Sequence, residues 1–459
     1  MTPKKSLNTL DRSFLASERR DVMMHVGALL QFSPPRGGGN DLGRQLREEL
    51  TRGGKVEPPF DLRLNHPDLL ANPLQAWIQD EHFDLEYHVR RSALASPGDE
   101  RELGILVSRL HGTPLDFHRP PWEAHFIEGL AGGRFAIYFK VHHALIDGYT
   151  GMRMLTRSFS TDPTELDTPI FFARPPLEAA RRPREDVATW DAVLGAVRDQ
   201  AGAAKDIGRA LMNVARSLRH KDSELVAPLQ APRSVLNQKI SRSRRFATSQ
   251  IPIDRVKRVA TAAKGTVNDV VLAITGSSLR RFLVELDALP TRSLIAMVPV
   301  NVRPKGDPGG TGNAVGAILA SLATDIEEPH ERLAAIVTST RHAKDQLQGM
   351  SKSAIIQYSA LVMAPLMLSF IPGAVGRIRP AFNIVVSNVP GPETPLYFRG
   401  WKLEEMYPLS IPFHGYGLNV TVQSYAGSLG FGFTGCRDTL PHLQRLAVYS
   451  NEAMAELEA

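Results

Sequence analysis

The chain has 459 residues, of which 43% are apolar and 22% charged, with a formal net charge of +6. This is ordinary globular composition, with apolar material for a large core and length for two or three domains, so no covalent staples are required. The single cysteine, Cys436, excludes an internal disulfide framework and a Cys-rich zinc site and fits a reducing compartment.

The opening segment MTPKKSLNTLDRSFLASERR is basic but lacks the apolar run of a secretion signal, so export by that route is not expected. Residues 22–32, VMMHVGALLQF, read as an early strand. GGGND then offers a turn and an N-cap before LGRQLREEL, a helix within 36–54. A second helical pattern covers Arg101 to His111, and the proline-rich stretch from Pro114 to Trp122 reads as an ordered loop or extended segment. Gly132-Gly133 makes a turn, Phe135 to Val141 alternates as a strand, and Gly148 to Ser158 resumes helical spacing. Residues 171–186 form a Pro/Arg linker, followed by an amphipathic helix whose face includes Trp190, Leu194, Val197 and Leu211. In the second half, KGTVND leads into a helix over 264–283, and 294–302 and 382–388 are apolar strands. LNVTVQSYAG and SLGFGFTG are Gly-rich alternating strands, and a last helix starts from Pro441. The alternation predicts two α/β domains, 1–170 and 236–459, joined by a 171–235 linker region, with the active site between them.

The positive charge sits in short clusters: Arg19-Arg20, Arg90-Arg91, Arg181-Arg182 with Arg184, Arg242 with Arg244-Arg245, and Arg280-Arg281. Such clusters suit an anionic small molecule, an anionic bilayer face or simply a solvated surface; no zinc-finger or RNP-type motif supports nucleic acid. From Ser353 to Gly376 the chain carries no charge. By length this stretch could cross a bilayer, but Pro365, Pro372 and Gly373 favour a pocket-lining or membrane-docking helix.

Chemistry concentrates in His142-His143-Ala144-Leu145-Ile146-Asp147-Gly148, where a strand ends and a helix follows. An imidazole on a rigid strand end can accept a hydroxyl proton near neutral pH. Asp147 can turn back to fix the loop, and Gly148 allows a tight turn. Two alternatives stand beside this: structural histidines with a capping aspartate, or a metal site of His142, His143 and Asp147. Neighbouring strand residues point to opposite faces, which disfavours a shared ion, so no metal is expected. GFGFTG at 430–435 matches a dinucleotide fingerprint by letter but lies within a strand pattern. No GxSxG elbow or Walker A sequence is present, which favours direct attack by a bound hydroxyl over covalent catalysis.

HHALIDG resembles the HHxxxDG motif of the CoA-dependent acyltransferase superfamily. LDRSFLASE, PLDFHRPPWE at 114–123, VND at 267–269, VPVNVRP at 298–304 and SNVPGP at 387–392 are together similar to the bacterial wax ester synthase/diacylglycerol acyltransferases, in order and across nearly the whole chain. Pro121 stands where that family usually has leucine. The resemblance implies two chloramphenicol-acetyltransferase-like domains with mixed sheets and a tunnel between them. It implies His143 as catalytic base beside His142, and Asp147 as a structural acid paired with an arginine, for which Arg303 is the candidate, with a surface or CoA-phosphate arginine as the alternative reading of that residue. Asn268 and Asp269 look like the family's essential pair, although N-capping alone would account for them. Asn388, with Pro390 and Gly391, supports the site or shapes a turn. Ala360 and Ala364, one helical turn apart, are candidates for lining a lipid channel.

The implied reaction passes a fatty acyl group from acyl-CoA, a substrate rather than a cofactor, to a fatty alcohol or a diacylglycerol in a ternary complex. The implied setting is the cytoplasm, in peripheral contact with a membrane or lipid-inclusion surface. Two other readings are a carrier-protein thioester as donor and a non-catalytic lipid-inclusion coat. The absence of an adjoining carrier domain and the intact HHxxxDG argue against them.

Overall fold

Alternating branched and aromatic residues build two six-stranded mixed sheets. The computed structural model describes residues 5–35, 55–174, 230–302, 314–348, 375 and 379–459. The first half contains β1 (Lys5–Ser6), α1 (Thr9–Ser17), β2 (His25–Ser33), β3 (Leu62–Leu64), β4 (Ala76–Gln79) and α2 (Leu85–His88). It continues with β5 (Val89–Ala93), α3 (Glu100–His111), β6 (Trp122–Glu128), β7 (Phe135–His142) and α4 (Gly148–Thr156). The second half contains β8 (Arg244–Pro252), α5 (Ile253–Ala262), α6 (Val267–Glu285), β9 (Ile295–Val302), β10 (Ala314–Ser321) and α7 (Pro329–Gln348). It ends with β11 (Ile384–Val389), β12 (Tyr397–Phe398), β13 (Trp401–Leu409), β14 (Leu418–Tyr425), β15 (Ser428–Cys436) and α8 (Arg445–Glu456). The expected mixed α/β architecture in two halves is present.

The N-terminal sheet runs β12-β13-β2-β7-β6-β5, and the C-terminal sheet β10-β9-β11-β14-β15-β8. The first is antiparallel except at β5–β6; the second is parallel at β9–β11 and β11–β14. Sheet membership does not follow chain order. β12 and β13 leave the C-terminal half, and β13 pairs along β2, with Lys402 opposite Ser33 and Leu409 opposite Gly27. The same β13 packs across β15. A Cβ at Gly430 would lie 2.4 Å from the Met406 carbonyl oxygen, and one at Gly432 would lie 2.0 Å from that of Pro408. The GFGFTG glycines therefore give close backbone approach at the crossing, the role bare positions in strands often have.

Local chemistry sets the element ends. Asn8 caps α1 by accepting the Asp11 N–H at 2.7 Å, and Asp99 caps α3 by accepting the N–H groups of Arg101 and Glu102. Thr266 and Asp269 form a reciprocal capping box on α6. Most of α6 is buried, which is why its apolar residues run almost all round rather than along one stripe. The N-terminal core is aromatic, with Phe32, Phe60, Trp122, Phe139, Phe171 and Phe172 in one cluster. Each such side chain contributes roughly 1.5–3 kcal/mol through burial. The Trp122 indole N–H also donates to the Phe60 carbonyl at 2.7 Å.

Candidate active site

Every residue of β7 is buried, so its C-terminal end is a fixed platform. There the chain turns, and the Leu145 and Ile146 N–H groups return to the His142 carbonyl at 2.9 and 3.3 Å. His142 points inward and is 1% exposed. Its Nδ1 accepts the Ala144 N–H at 3.2 Å, its Nε2 faces the Glu18 carboxylate at 3.5 Å, and Phe117 meets it edge-on. These contacts lock the ring as part of the scaffold. His143 keeps partial exposure. Its N–H donates to the Met24 carbonyl at 2.9 Å, and its ring stacks on Phe14 with centroids 4.1 Å apart.

Burial lowers the His143 pKa to about 4, and the nearby His142 adds to the lowering, while Asp147 and a hydrogen bond to its own backbone carbonyl oppose it. At physiological pH the imidazole is neutral and one ring nitrogen keeps a lone pair. Asp147 starts α4 as its N-cap. Its carboxylate accepts the Thr150 N–H at 2.9 Å and the Thr150 hydroxyl at 2.7 Å. Gly148 requires a correction. Its backbone is not left-handed, and an added Cβ would meet nothing within 4 Å. The glycine leaves open space beside the loop and is not needed for a tight turn.

The other described candidates belong to elements of the C-terminal half. Asn268 and Asp269 begin α6. Asp269 is 3% exposed and its carboxylate is held by the Thr266 N–H and hydroxyl and, at 2.7 Å, by the Thr340 hydroxyl of α7. Those bonds fasten two helices of the C-terminal half. Asn388 sits on β11 opposite Val422. At Gly391 a Cβ would lie 2.1 Å from the Ser424 carbonyl oxygen, so only glycine fits that approach. Arg303, Ala360, Ala364, the 353–376 stretch except Val375 and most of the 171–235 linker lie outside the described residues. Among the described residues, no group of His, Cys, Asp and Glu has the arrangement of a metal site.

Sequence reasoning missed the buried charges behind the motif. Glu18 accepts the Met24 N–H at 2.6 Å as well as facing His142, so one carboxylate braces both histidines. Lys140, fully buried two residues before His142, pairs with Glu123 at 3.2 Å and donates to the Leu110 and Thr113 carbonyls. Burial alone would raise the Glu123 carboxyl, but the His125 hydrogen bond and the Lys140 and Arg90 charges outweigh it and hold it at about 2. His25, paired across from His142 on β2, donates through Nε2 to the His111 carbonyl at 2.9 Å. LASE and PPWE held the signal for Glu18 and Glu123, but neither residue announces its partner from the sequence.

On its outer side the site abuts the junction of the two halves. Phe14, Val22 and Met24 pack in one apolar cluster with Ile240, Ile411, Phe413 and Cys436. Two mixed-sheet halves, with HHxxxDG at the end of a central strand facing their seam, define the two-domain HHxxxDG acyltransferase class.

The comparisons place the chain within that class. The wax ester synthase/diacylglycerol acyltransferase catalytic domain matches residues 7–271, and the family's C-terminal domain matches residues 311–458. A wax ester synthase/diacylglycerol acyltransferase from Marinobacter aquaeolei superposes with a TM-score of 0.77 at 39% identity, covering 98% of each chain. A Mycobacterium tuberculosis protein provisionally named a diacylglycerol O-acyltransferase is 51% identical, over 99% of this chain and 97% of its own length. An Acinetobacter baylyi O-acyltransferase is 37% identical over 99% of this chain and 97% of its own. The chain belongs to the wax ester synthase/diacylglycerol acyltransferase family and is an acyltransferase.

Proposed function

We propose that the protein transfers a fatty acyl group from acyl-CoA to the hydroxyl of a long-chain alcohol or a diacylglycerol, with His143 as general base. The observation that carries this is the pair of opposed histidines. His142 is locked inside the scaffold, while His143 is neutral, partly accessible and held by backbone and by Phe14 at the seam. A neutral imidazole carries one ring N–H, so its other nitrogen is the acceptor.

In a ternary complex that nitrogen takes the acceptor's hydroxyl proton as the oxygen attacks the thioester carbonyl. The tetrahedral intermediate collapses, the C–S bond breaks, and the thiolate leaves with the proton returned by the imidazolium. Because a thiolate is a good leaving group, no second strong acid, metal or cofactor is called for; acyl-CoA is consumed as substrate. Asp147 steadies the loop through α4, with Arg303 as its cross-domain partner in this reading. The lipid substrates argue for peripheral work at a membrane or lipid-inclusion surface. No described helix is long and apolar enough to cross a membrane.

The test follows thiol release from palmitoyl-CoA with hexadecanol or dipalmitoylglycerol, with product separation. Acceptor-dependent thiol release with formation of wax ester or triacylglycerol is expected. Thiol release that ignores both acceptors, or no release at all, contradicts the reading.

A further inference from the structure

Among the described residues, one arginine cluster differs from Arg90-Arg91 and Arg280-Arg281 in what surrounds it. Arg91 pairs with Glu128 at 2.7 Å, and Arg281 pairs with Glu452 and Glu456. Arg242, Arg244 and Arg245 instead line, with the neighbouring Arg437 and with Arg109 of α3, a cavity of about 540 Å³ between the C-terminal end of α3 and the start of β8. Among the described residues Arg109, Arg242 and Arg245 have no carboxylate partner, and Arg437 reaches only Asp438, at 3.6 Å. Arg244, 4% exposed, is fixed by donating to the carbonyls of Ser241 and Asp21. Guanidinium groups that outnumber the carboxylates near them repel one another and raise the local concentration of anions. Their planar donor forks match phosphate oxygens.

Chain neighbours, packing and hydrogen bonds link the cavity lining to the residues that hold the base. Ile240 and Cys436 pack in the apolar cluster with Phe14, the ring stacked on His143. Arg242 lies two residues beyond Ile240, and Arg437 directly follows Cys436. Asp21, held by Arg244, lies three residues before Met24, whose carbonyl holds the His143 N–H. On the opposite wall, the Thr113 carbonyl receives the Lys140 ammonium of β7. Along the seam the molecule passes from an apolar patch beside the base to a cationic cavity walled by both halves. Acyl-CoA has the same polarity: an apolar acyl chain and thioester at one end, and a pyrophosphate and ribose 3′-phosphate at the other, joined by a flexible pantetheine arm.

We propose that this cavity binds the phosphates of the acyl donor, with Arg109, Arg242, Arg245 and Arg437 as ligands and Arg244 as the fixed floor. The proposal rests on the acyl-CoA reading above. Lipid headgroups share phosphate chemistry, but a cavity walled by both halves and linked through Ile240 and Cys436 to the cluster around the base favours the donor nucleotide.

The test uses the full chain and an Arg242→Gln/Arg245→Gln variant, comparing palmitoyl-CoA with palmitoyl-N-acetylcysteamine, which has the thioester but no phosphate. The ratio of kcat/KM for the first donor to that for the second should fall about tenfold or more, through KM, as charge-assisted contacts are lost. Arg109→Gln, on the other wall, should lower the same ratio by a smaller factor. Calorimetry with adenosine 3′,5′-bisphosphate should show binding to wild type and its loss in the double variant. An unchanged ratio, or equal losses with both donors, overturns the proposal. So does a variant that loses sedimentation with phosphatidylglycerol vesicles while its ratio stays fixed, which assigns the cluster to lipid headgroups. The calorimetric arm needs no turnover. If wild type transfers no acyl group yet binds the bisphosphate through these arginines, the cavity stands and the acyl-transfer reading falls.

Discussion

The two sheets have the same number of strands but opposite interiors. The N-terminal sheet and its helices bury His25, His88, His111, Glu123, His125, Lys140 and His142. The core of the C-terminal sheet is aliphatic around α6, and much of its buried polarity is neutral, as where Asn383 binds the Ile295 N–H, the Pro232 carbonyl and Asn237. Buried ion pairs are weak contributors to stability, and aliphatic packing serves a scaffold better. The half that holds the base accepts these groups because they brace β7, the turn and the Met24 strand from behind. The difference teaches that polarity here was placed to orient one imidazole, while the partner sheet supplies a rigid second wall.

The largest expected effect is on rate. His143→Ala should lower kcat for acyl transfer by ~10²–10⁴, the usual share of general base catalysis, with the melting temperature little changed. A smaller loss for His143→Ala than for His142→Ala would reverse the roles given to the two rings. Next is Glu123→Ala, which strands Lys140 without its carboxylate. Breaking a buried pair in this way costs about 3–5 kcal/mol, to be read by urea denaturation. Thr340→Val removes one neutral donor from Asp269 in the other half and should cost about 1–3 kcal/mol. If the two cost the same, the contrast between the halves fails.

Gly432→Ala tests the crossing that joins them. Its methyl group would press on the Pro408 carbonyl of β13, with about 1–3 kcal/mol lost to overpacking. Acid sharpens the contrast further. Burial, the leading cause in each case, lowers His25 well below 6.5, His88 and His143 to about 4, and His111 to about 3. The unfolded chain therefore binds more protons below pH ~6.5, so their contribution, present above that pH, is lost as pH falls toward about 3–4. Amide exchange should show β2 and β7 losing protection between pH 6.5 and 4.5 before β9 and β14 do. Asp147→Ala, which removes the α4 cap, should cost about 1 kcal/mol, and Asp147→Asn less.

Much of this was legible in the sequence where the signal was local. The alternation of Phe135–Val141, the helix after KGTVND and the strands at 418–436 follow from residue order alone, and HHALIDG drew attention to the right turn. The excursion of β13 was not legible, because its partner β2 lies more than 350 residues away and its seat on β15 is marked only by missing side chains. Glu18 and Lys140 carry no motif of their own; burial gives them meaning. The arginine clusters look alike as letters, and only the carboxylates beside Arg91 and Arg281 separate them from the open group at Arg242–Arg245.

The central claim is that His143 acts as a neutral base whose pKa burial has lowered. Its most direct test is the pH dependence of kcat/KM for thiol release from palmitoyl-CoA, measured with hexadecanol from pH 4 to pH 8. A plateau that holds well below pH 6.5 and falls toward an inflection near 4, together with loss of that limb in His143→Ala, is the predicted result. An inflection at the ordinary histidine value near 6.5, or the same acid limb and rate in the His143→Ala variant, would contradict the account.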